Sequence, residues 1–374
     1  MGVVRRDTVR RWAAVTAGTA VVVAAPALWL GRPTPDPDVG TATVLRAARA
    51  SASVPFSGFA ETRGSLGLPD LPRLGSVAAL LGSTTRERVW WGGADNWRVD
   101  TVSATGETGT YSVGGYLHTW DYERRASREV LLPTPVRLPR ADDLLPPQAV
   151  RRLLAGVGTD VDVRRLPARR IAGHATVGLR LVPQEADSTI ARADLWVEPG
   201  TGLPLSLELF ARGATQPALT SHFLDLRLRP PDRHVLTPRN AARALEVPVP
   251  VTDIVSALDT FVGADLPRQL GGFSRSRDVV TLGGTATYGE GLARFVVVLL
   301  PGRLGFGALD AAVGGGGTVL DVGEHRAVLV TTPLVSVAVA HREQQGRDST
   351  FLMAGTVTGV ALERAIGDLL GTSS

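Results

Sequence analysis

Val89-Trp90-Trp91-Gly92-Gly93-Ala94-Asp95-Asn96-Trp97-Arg98-Val99-Asp100-Thr101, followed by Tyr116-Leu117-His118-Thr119-Trp120-Asp121-Tyr122, sets the fold of this chain. Between Trp90 and Tyr122 lie four of its seven tryptophans and three of its four tyrosines. Apolar side chains fall at every second position from Trp97 to Thr101, and aromatic ones do so from Tyr116 to Tyr122, the period of a β-strand. Short alternating runs broken by glycine pairs read as a β-meander with one aromatic face. Large rings on one side of a curved sheet either fill a core or line a cavity for an apolar ligand. Ordinary core is the competing reading for any single ring. The candidate lining is Trp90, Trp97, Val99, Tyr111, Tyr116, Trp120 and Trp196.

Strand patterns extend outward from this stretch. A short helix over 41–53 places Val44, Leu45, Ala48 and Ala52 on one side, and strands are expected near 55–63, 85–91, 96–103, 107–113, 116–122 and 126–132. Turns are placed at Gly92-Gly93, Thr105-Gly106 and Gly114-Gly115. A helix over 146–155 starts with two prolines, where the first turn needs no donor. Strands resume near 174–183, 191–198, 204–212 and 219–228. Pro230, Pro231, Pro238, Pro248 and Pro250 then mark a linker over 230–250. Beyond it, 251–374 reads as a smaller α+β domain, with a helix near 251–261, strands near 281–288, 292–300, 325–331, 334–341 and 349–355, and a last helix over 358–370. Gly314 to Gly317 follows a possible helix and opens a strand, the wrong order for a dinucleotide-binding turn, and reads as a flexible loop.

Composition removes whole chemistries. With 374 residues and 44% hydrophobic content the chain can bury one large or two ordinary cores. It has no cysteine and no lysine, and all 40 basic residues are arginine. Disulfides, thiol nucleophiles, Walker A lysines and Schiff-base lysines are therefore excluded. The pI of 10.2 overstates the basic character, since the net charge is only +4 and most of that excess comes from Arg5, Arg6, Arg10 and Arg11. A body so close to neutral has no field to condense on phosphates, which argues against a nucleic-acid partner. Arg124-Arg125, Arg151-Arg152 and Arg169-Arg170 read as solvated faces.

Those N-terminal arginines precede the uncharged run Trp12 to Leu30, whose helical rise of about 28 Å is close to the thickness of a bilayer core. The positive-inside rule keeps the arginines cytoplasmic and sends the rest of the chain outside. Residues 1–31 are thus a signal peptide or signal anchor, and 32–40 a Pro-rich tether. Ala25-Pro26-Ala27 has the small-x-small form of a cleavage site, but Pro26 and the following Leu28-Trp29-Leu30 favour an uncleaved anchor.

Catalytic patterns are missing. His118, His174, His222, His234, His325 and His341 are not at metal-ligand spacing, and neither His-Glu-x-x-His nor Gly-x-Ser-x-Gly occurs. Ser274 fails the nucleophile-elbow pattern. Asp142-Asp143 lies in a Pro-rich stretch and reads as a loop rather than a rigid acid pair. No cofactor or metal is expected.

Phe56-Ser57-Gly58, Val89-Trp90-Trp91, Trp97 to Asp100, Tyr111, Trp120-Asp121 and Trp196-Val197-Glu198-Pro199-Gly200-Thr201-Gly202-Leu203-Pro204-Leu205 follow one another in an order that resembles the LolA-like fold. Within that fold the order is most similar to MucB/RseB-type sigma-factor regulators. Tyr288-Gly289-Glu290-Gly291-Leu292 and Ala354 to Thr358 extend the likeness to the second domain. The resemblance implies a mainly β, α+β protein: a curved antiparallel half-barrel over 41–229 with covering helices around a cavity for acyl chains, then the smaller α+β domain. It further implies a non-catalytic extracytoplasmic regulator that holds a lipid or lipidated segment and engages an anti-sigma factor or another membrane-protein ectodomain. A lipid or lipoprotein carrier of the cell envelope is the alternative.

Overall fold

The computed structural model describes residues 36–67, 75–103, 106–123, 126–131, 139–157, 161–238, 245–246, 266–276, 284–300, 302–343 and 348–371. The 12–30 segment, residues 32–35 of the tether, residues 239–244 and 247–250 of the linker, and the 251–261 helix expected from the sequence lie outside these residues. No helix among the described residues is long and apolar enough to cross a membrane.

Helix α1 (Thr41–Ala50) leads into β1 (Phe56–Gly64), and α2 (Gly75–Gly82) into the meander β2 (Thr84–Gly93), β3 (Asn96–Ser103), β4 (Gly106–Val113), β5 (Tyr116–Asp121) and β6 (Ala126–Leu131). Helix α3 (Pro146–Ala155) then separates it from a second meander: β7 (Val161–Ile171), β8 (His174–Pro183), β9 (Ile190–Val197), β10 (Pro204–Ala211) and β11 (Leu219–Arg227). With the short β12 (Leu245–Glu246), the strand order is β12-β6-β5-β4-β3-β2-β1-β11-β10-β9-β8-β7. Two meanders therefore run outward from a β1–β11 seam, in which Ser57 pairs with Arg227 and Gly64 with Leu219. The sheet is curved and antiparallel apart from β12, and it does not close. This is the half-barrel the sequence suggested, and most strand ends fall within two residues of expectation. Strands β7 and β12 and helix α2 are additions.

Helices α1 and α3 pack on one face of this sheet, the inner face. Val44, Leu45 and Ala48 form the buried side of α1, and Val150 and Leu154, one turn apart, that of α3. They meet Val177, Leu179 and Leu181 of β8, Ala193, Leu195 and Val197 of β9, and Leu207 of β10 in one core. Each of the valines and leucines contributes about 1.5–3 kcal/mol by leaving water, and the alanines less. Over β7 to β11 the inner face is filled.

The second sheet holds β15 (Thr285–Glu290), β16 (Ala293–Leu300), β17 (Thr318–Val322), β18 (His325–Thr331), β19 (Ser336–Arg342) and β20 (Ser349–Gly355), in the order β15-β16-β20-β19-β18-β17. A two-stranded ribbon, β13 (Gln269–Leu270) and β14 (Phe273–Ser274), precedes it. One face, with Tyr288, Phe295, Phe351 and Met353, packs on α5 (Gly359–Leu370); the other, with Val328 and Val339, on α4 (Gly302–Gly314). Gly314 to Gly317 closes α4 and leads into β17, a packed turn in which Gly317 N donates to Ala312 O, not a flexible loop.

Residues 37–374 form one compact unit, and specific bonds join the two sheets. Thr189 N donates to Thr356 O at 3.0 Å, Thr358 N to Asp187 O at 2.8 Å, and Ser188 Oγ to Leu292 O at 2.9 Å. Leu292 and Leu334, from turns of the second sheet, enter the α1/α3 core. Two arginines cap the C-terminal end of α3: Arg49 of α1 donates to Leu154 O and Val157 O, and Arg294 of β16 donates to Arg152 O at 3.1 Å. A cation at a helix C-terminus is worth up to about 1 kcal/mol. Arg294→Met is accordingly expected to lower unfolding free energy by about 1 kcal/mol in denaturant titrations, and Arg294→Lys by less.

Candidate functional site

In an antiparallel sheet, residues directly opposite share a face, so the register sorts the candidate side chains. Phe56 pairs with Trp91, Trp91 with Trp97, Trp97 with Ser112, and Ser112 with Leu117. Ala60 pairs with Glu87, Glu87 with Thr101, and Val89 with Val99. These all lie on the inner face, together with Phe223, which pairs with Ala60. Trp91 and Trp97 stack at 5.4 Å, Phe56 stacks on Trp91 at 6.0 Å, and Phe223 meets Phe56 edge-on at 5.5 Å. Leu145, at the start of α3, packs against this cluster. Toward β4 and β5 the inner face continues through half-buried Thr101, Thr110 and Thr119.

Five of the seven candidates lie elsewhere. Trp90 pairs with Arg98, Arg98 with Tyr111, and Tyr111 with His118, on the outer face. There the Arg98 guanidinium sits 4.8 Å from the Trp90 ring and 4.9 Å from that of Tyr111. It also holds Asp100 with two hydrogen bonds and donates to Tyr122 Oη at 3.0 Å. Trp120 is half-buried on this face against Tyr122, and Tyr116 is exposed. Trp196 pairs with Ser206 and Gly178, again on the outer face, where its indole donates to Pro167 O at 3.2 Å under the Arg169 guanidinium. Only Trp97 and Val99 share the inner face, and the single aromatic face expected from the sequence is two faces.

The unbroken β3–β4–β5 registers put Tyr111, Tyr116 and Trp120 on the face opposite Trp97, and a one-residue bulge puts Trp90 there too. The β2–β3 register shifts between Trp91 and Gly93, leaving Gly92 as the extra residue. Without the bulge Trp90 would oppose Val99; with it, Trp91 opposes Trp97 and Trp90 faces outward. The sequence reading placed the turn at Gly92-Gly93, whereas the chain turns at Ala94-Asp95. Phe56, Trp91 and Phe223 were the inner aromatic residues it missed. The Phe-Ser-Gly start of β1 was the signal available for Phe56.

Above the inner face lies the cap, a 3₁₀ turn (Ala141–Leu144) running into α3. Thr62 Oγ1 and Ser221 Oγ donate to Leu144 O at 3.2 and 2.5 Å and hold it to the β1–β11 seam. Asp142 is buried and accepts from Arg140 at 2.9 Å, and Asp143, also buried, pairs with Arg152 at 2.6 Å. The two aspartates are thus a fixed buried pair rather than a loop. Arg151 is not a solvated charge either: it donates to Ser51 Oγ and lies over Trp91, and burial pushes its guanidinium down to about 10. Arg124 and Arg125 lie outside the described residues. Among the described residues no group of three or more metal-ligating side chains is placed to hold an ion.

Two surface grooves accompany this arrangement. One, of about 360 Å³, crosses the outer face between Phe59, Arg88, Trp90 and Arg227. The other, of about 810 Å³, lies at the joint of the sheets between Glu185 and Asp187, the Gly271-Gly272-Phe273 turn, and Arg364 and Asp368 of α5.

No family model and no curated protein match the chain. Among solved structures it aligns with the MucA/MucB complex of Pseudomonas aeruginosa at 20% identity and a TM-score of 0.48, over 87% of this chain and 96% of that chain. The chain is similar to MucB. A LolA superfamily protein from Nitrosomonas europaea aligns over 54% of this chain and 98% of its own at 17% identity, with a TM-score of 0.25. LprF from Mycobacterium bovis aligns over 54% and 99% at 11% identity, with a TM-score of 0.30.

Proposed function

We propose that this is a non-catalytic extracytoplasmic regulator whose first sheet takes an acyl chain or lipidated segment beneath the cap and whose second sheet engages a protein such as an anti-sigma factor ectodomain. One observation carries the reading: α3, which covers the apolar inner face, is capped at its C-terminus by Arg294 of the second sheet. A ligand that displaces α3 must therefore disturb the joint. The energies are commensurate. Lifting the cap exposes Leu144, Leu145, Val150 and Leu154, at about 1.5–3 kcal/mol each, while every buried methylene of an acyl chain returns about 0.8 kcal/mol. A chain of ten or so methylenes offsets the exposure, so that occupied and empty states differ by little and a partner can choose between them. The groove beside Asp187 and Asp368 touches both sheets and is the surface we assign to that partner.

The test is binding of a fluorescent fatty acid by delipidated protein. Trp97→Ala, on the inner face, is expected to weaken binding at least tenfold, a loss of about 1.4 kcal/mol. Trp120→Ala, on the outer face, leaves it unchanged. Equal effects of the two substitutions, or no binding by the unaltered chain, overturn the reading.

A further inference from the structure

Glu87 lies at the centre of the inner face and is fully buried, and neither of its carboxyl oxygens has a hydrogen-bond partner. Such a group costs free energy in any folded state, so its surroundings decide what it can do. On the sheet its in-register neighbours are Ala60 of β1 and Thr101 of β3, with Thr85 and Val89 on its own strand. None of these is charged. From the cap it faces Asp142 and Asp143. Their counter-ions, Arg140 and Arg152, are turned to those aspartates and make no bond to Glu87. Glu61, Arg86 and Arg88 project from the opposite face, as does His222. The carboxyl group is thus enclosed by apolar or neutral groups below and by two carboxylates above.

We propose that Glu87 is a proton-operated latch, over which the Ala141–Ala155 cap closes while the carboxyl is neutral and from which it lifts when the carboxyl ionises. Ionisation in the closed state would place a third negative charge beside Asp142 and Asp143 with no cation or donor to meet it, and lifting the cap lets water solvate it. Burial, and then the charges of Asp142 and Asp143, hold the Glu87 carboxyl well above the usual carboxylate range in the closed state. In the lifted, hydrated state it returns to the ordinary carboxylate value. Closure is therefore fully favoured below that value and is progressively lost as pH rises toward the closed-state value. Over that window one proton leaves per opening, and the opening equilibrium gains about tenfold per pH unit. The latch needs no ligand, so its failure and that of the lipid reading are separable.

The experiment is hydrogen exchange with mass spectrometry on the full chain without lipid, from pH 5 to 8, corrected for intrinsic exchange rates. Peptides over 139–157 are expected to lose protection as pH rises, by up to about tenfold per pH unit while the closed-state carboxyl stays protonated, and peptides over 293–300 to hold theirs. Glu87→Gln, which keeps the shape and cannot ionise, is expected to flatten the slope and keep the cap protected at pH 8. Glu87→Leu, which also cannot ionise, gives the same flat profile. A slope in Glu87→Gln equal to that of the unaltered chain overturns the proposal, as does a flat profile in the unaltered chain. Should both variants fail to fold, carboxyl carbon-13 titration of the unaltered protein decides: a Glu87 midpoint at the ordinary carboxylate value overturns the latch, and one well above it supports it.

Discussion

Arg98→Met is expected to lower the unfolding free energy by about 3–5 kcal/mol. Methionine fills much of the space between Trp90 and Tyr111, so the loss is electrostatic more than a matter of volume. The substitution leaves Asp100, whose side chain is 1% exposed, without the guanidinium that donates to it and balances its charge. A buried carboxylate deprived of its partner keeps its desolvation cost and loses the compensation. Tyr122 loses its donor in the same step. Pairing the change with Asp100→Leu removes the orphaned charge and is expected to recover most of the loss, since an apolar pair in place of a buried ion pair is often neutral. Guanidinium titration followed by circular dichroism measures both. A deficit under 1 kcal/mol in the single variant, or no recovery in the double, would show that the ring-guanidinium-ring stack holds little of the outer face together.

Gly202→Ala is expected to cost about 3 kcal/mol, from a left-handed backbone and a steric clash acting together. Gly202 has φ +73°, and a Cβ there would lie 2.6–2.8 Å from Ala47 of α1, two of its three nearest atoms being backbone. The turn is otherwise well tied. Glu198 accepts from Gly200 N, Thr201 N and Thr201 Oγ1, and Gly202 N donates to Glu198 O. The methyl group therefore cannot be relieved by a small shift of the loop, and α1 must move off the sheet. Gly200→Ala, whose Cβ would meet only the Glu198 carboxylate at 3.1 Å, is the control and is expected to cost much less. Equal midpoints for the two variants in thermal unfolding would refute the close approach of α1.

The existence and ends of most elements were legible in the sequence, and the face that each aromatic side chain takes was not. Pro146-Pro147 with Val150 and Leu154 announced α3, and alternation announced β3, β5, β8 and β20. The bulge at Gly92 leaves no such trace: its two neighbouring glycines and two neighbouring tryptophans permit either register, and tertiary packing of Trp91 against Phe56 selects one. Strand β7 was missed for a related reason. Its Val161-Asp162-Val163-Arg164-Arg165 start alternates, but a second irregularity at Leu166 to Arg169 folds Pro167 over Trp196 and hides the repeat. Of the candidate lining, Trp97 and Val99 lie on the inner face, whereas Tyr111, Tyr116 and Trp120, on the equally regular β4 and β5, fall on the outer one because Trp97 pairs with Ser112 and Ser112 with Leu117, a register the sequence does not state. Glu87 was not singled out, since Arg86-Glu87-Arg88 reads as a solvated run and only the cap above it removes the central residue from water.

The seam between β1 and β11 governs the order in which this protein can be made. Every other neighbour of the first sheet, β12 apart, is a local hairpin or meander step, able to form soon after its residues are available. Ser57 must wait for Arg227. Until then β1 has only β2 beside it, and its other edge offers unpaired amides and carbonyls to any extended segment nearby. Bringing ends so far apart together is entropically costly before any contact rewards it, which makes this the slow step of assembly. A chain cut short before β11 would keep both meander halves in part and present an open β-edge at the middle of its largest sheet, the form of this molecule most prone to aggregate.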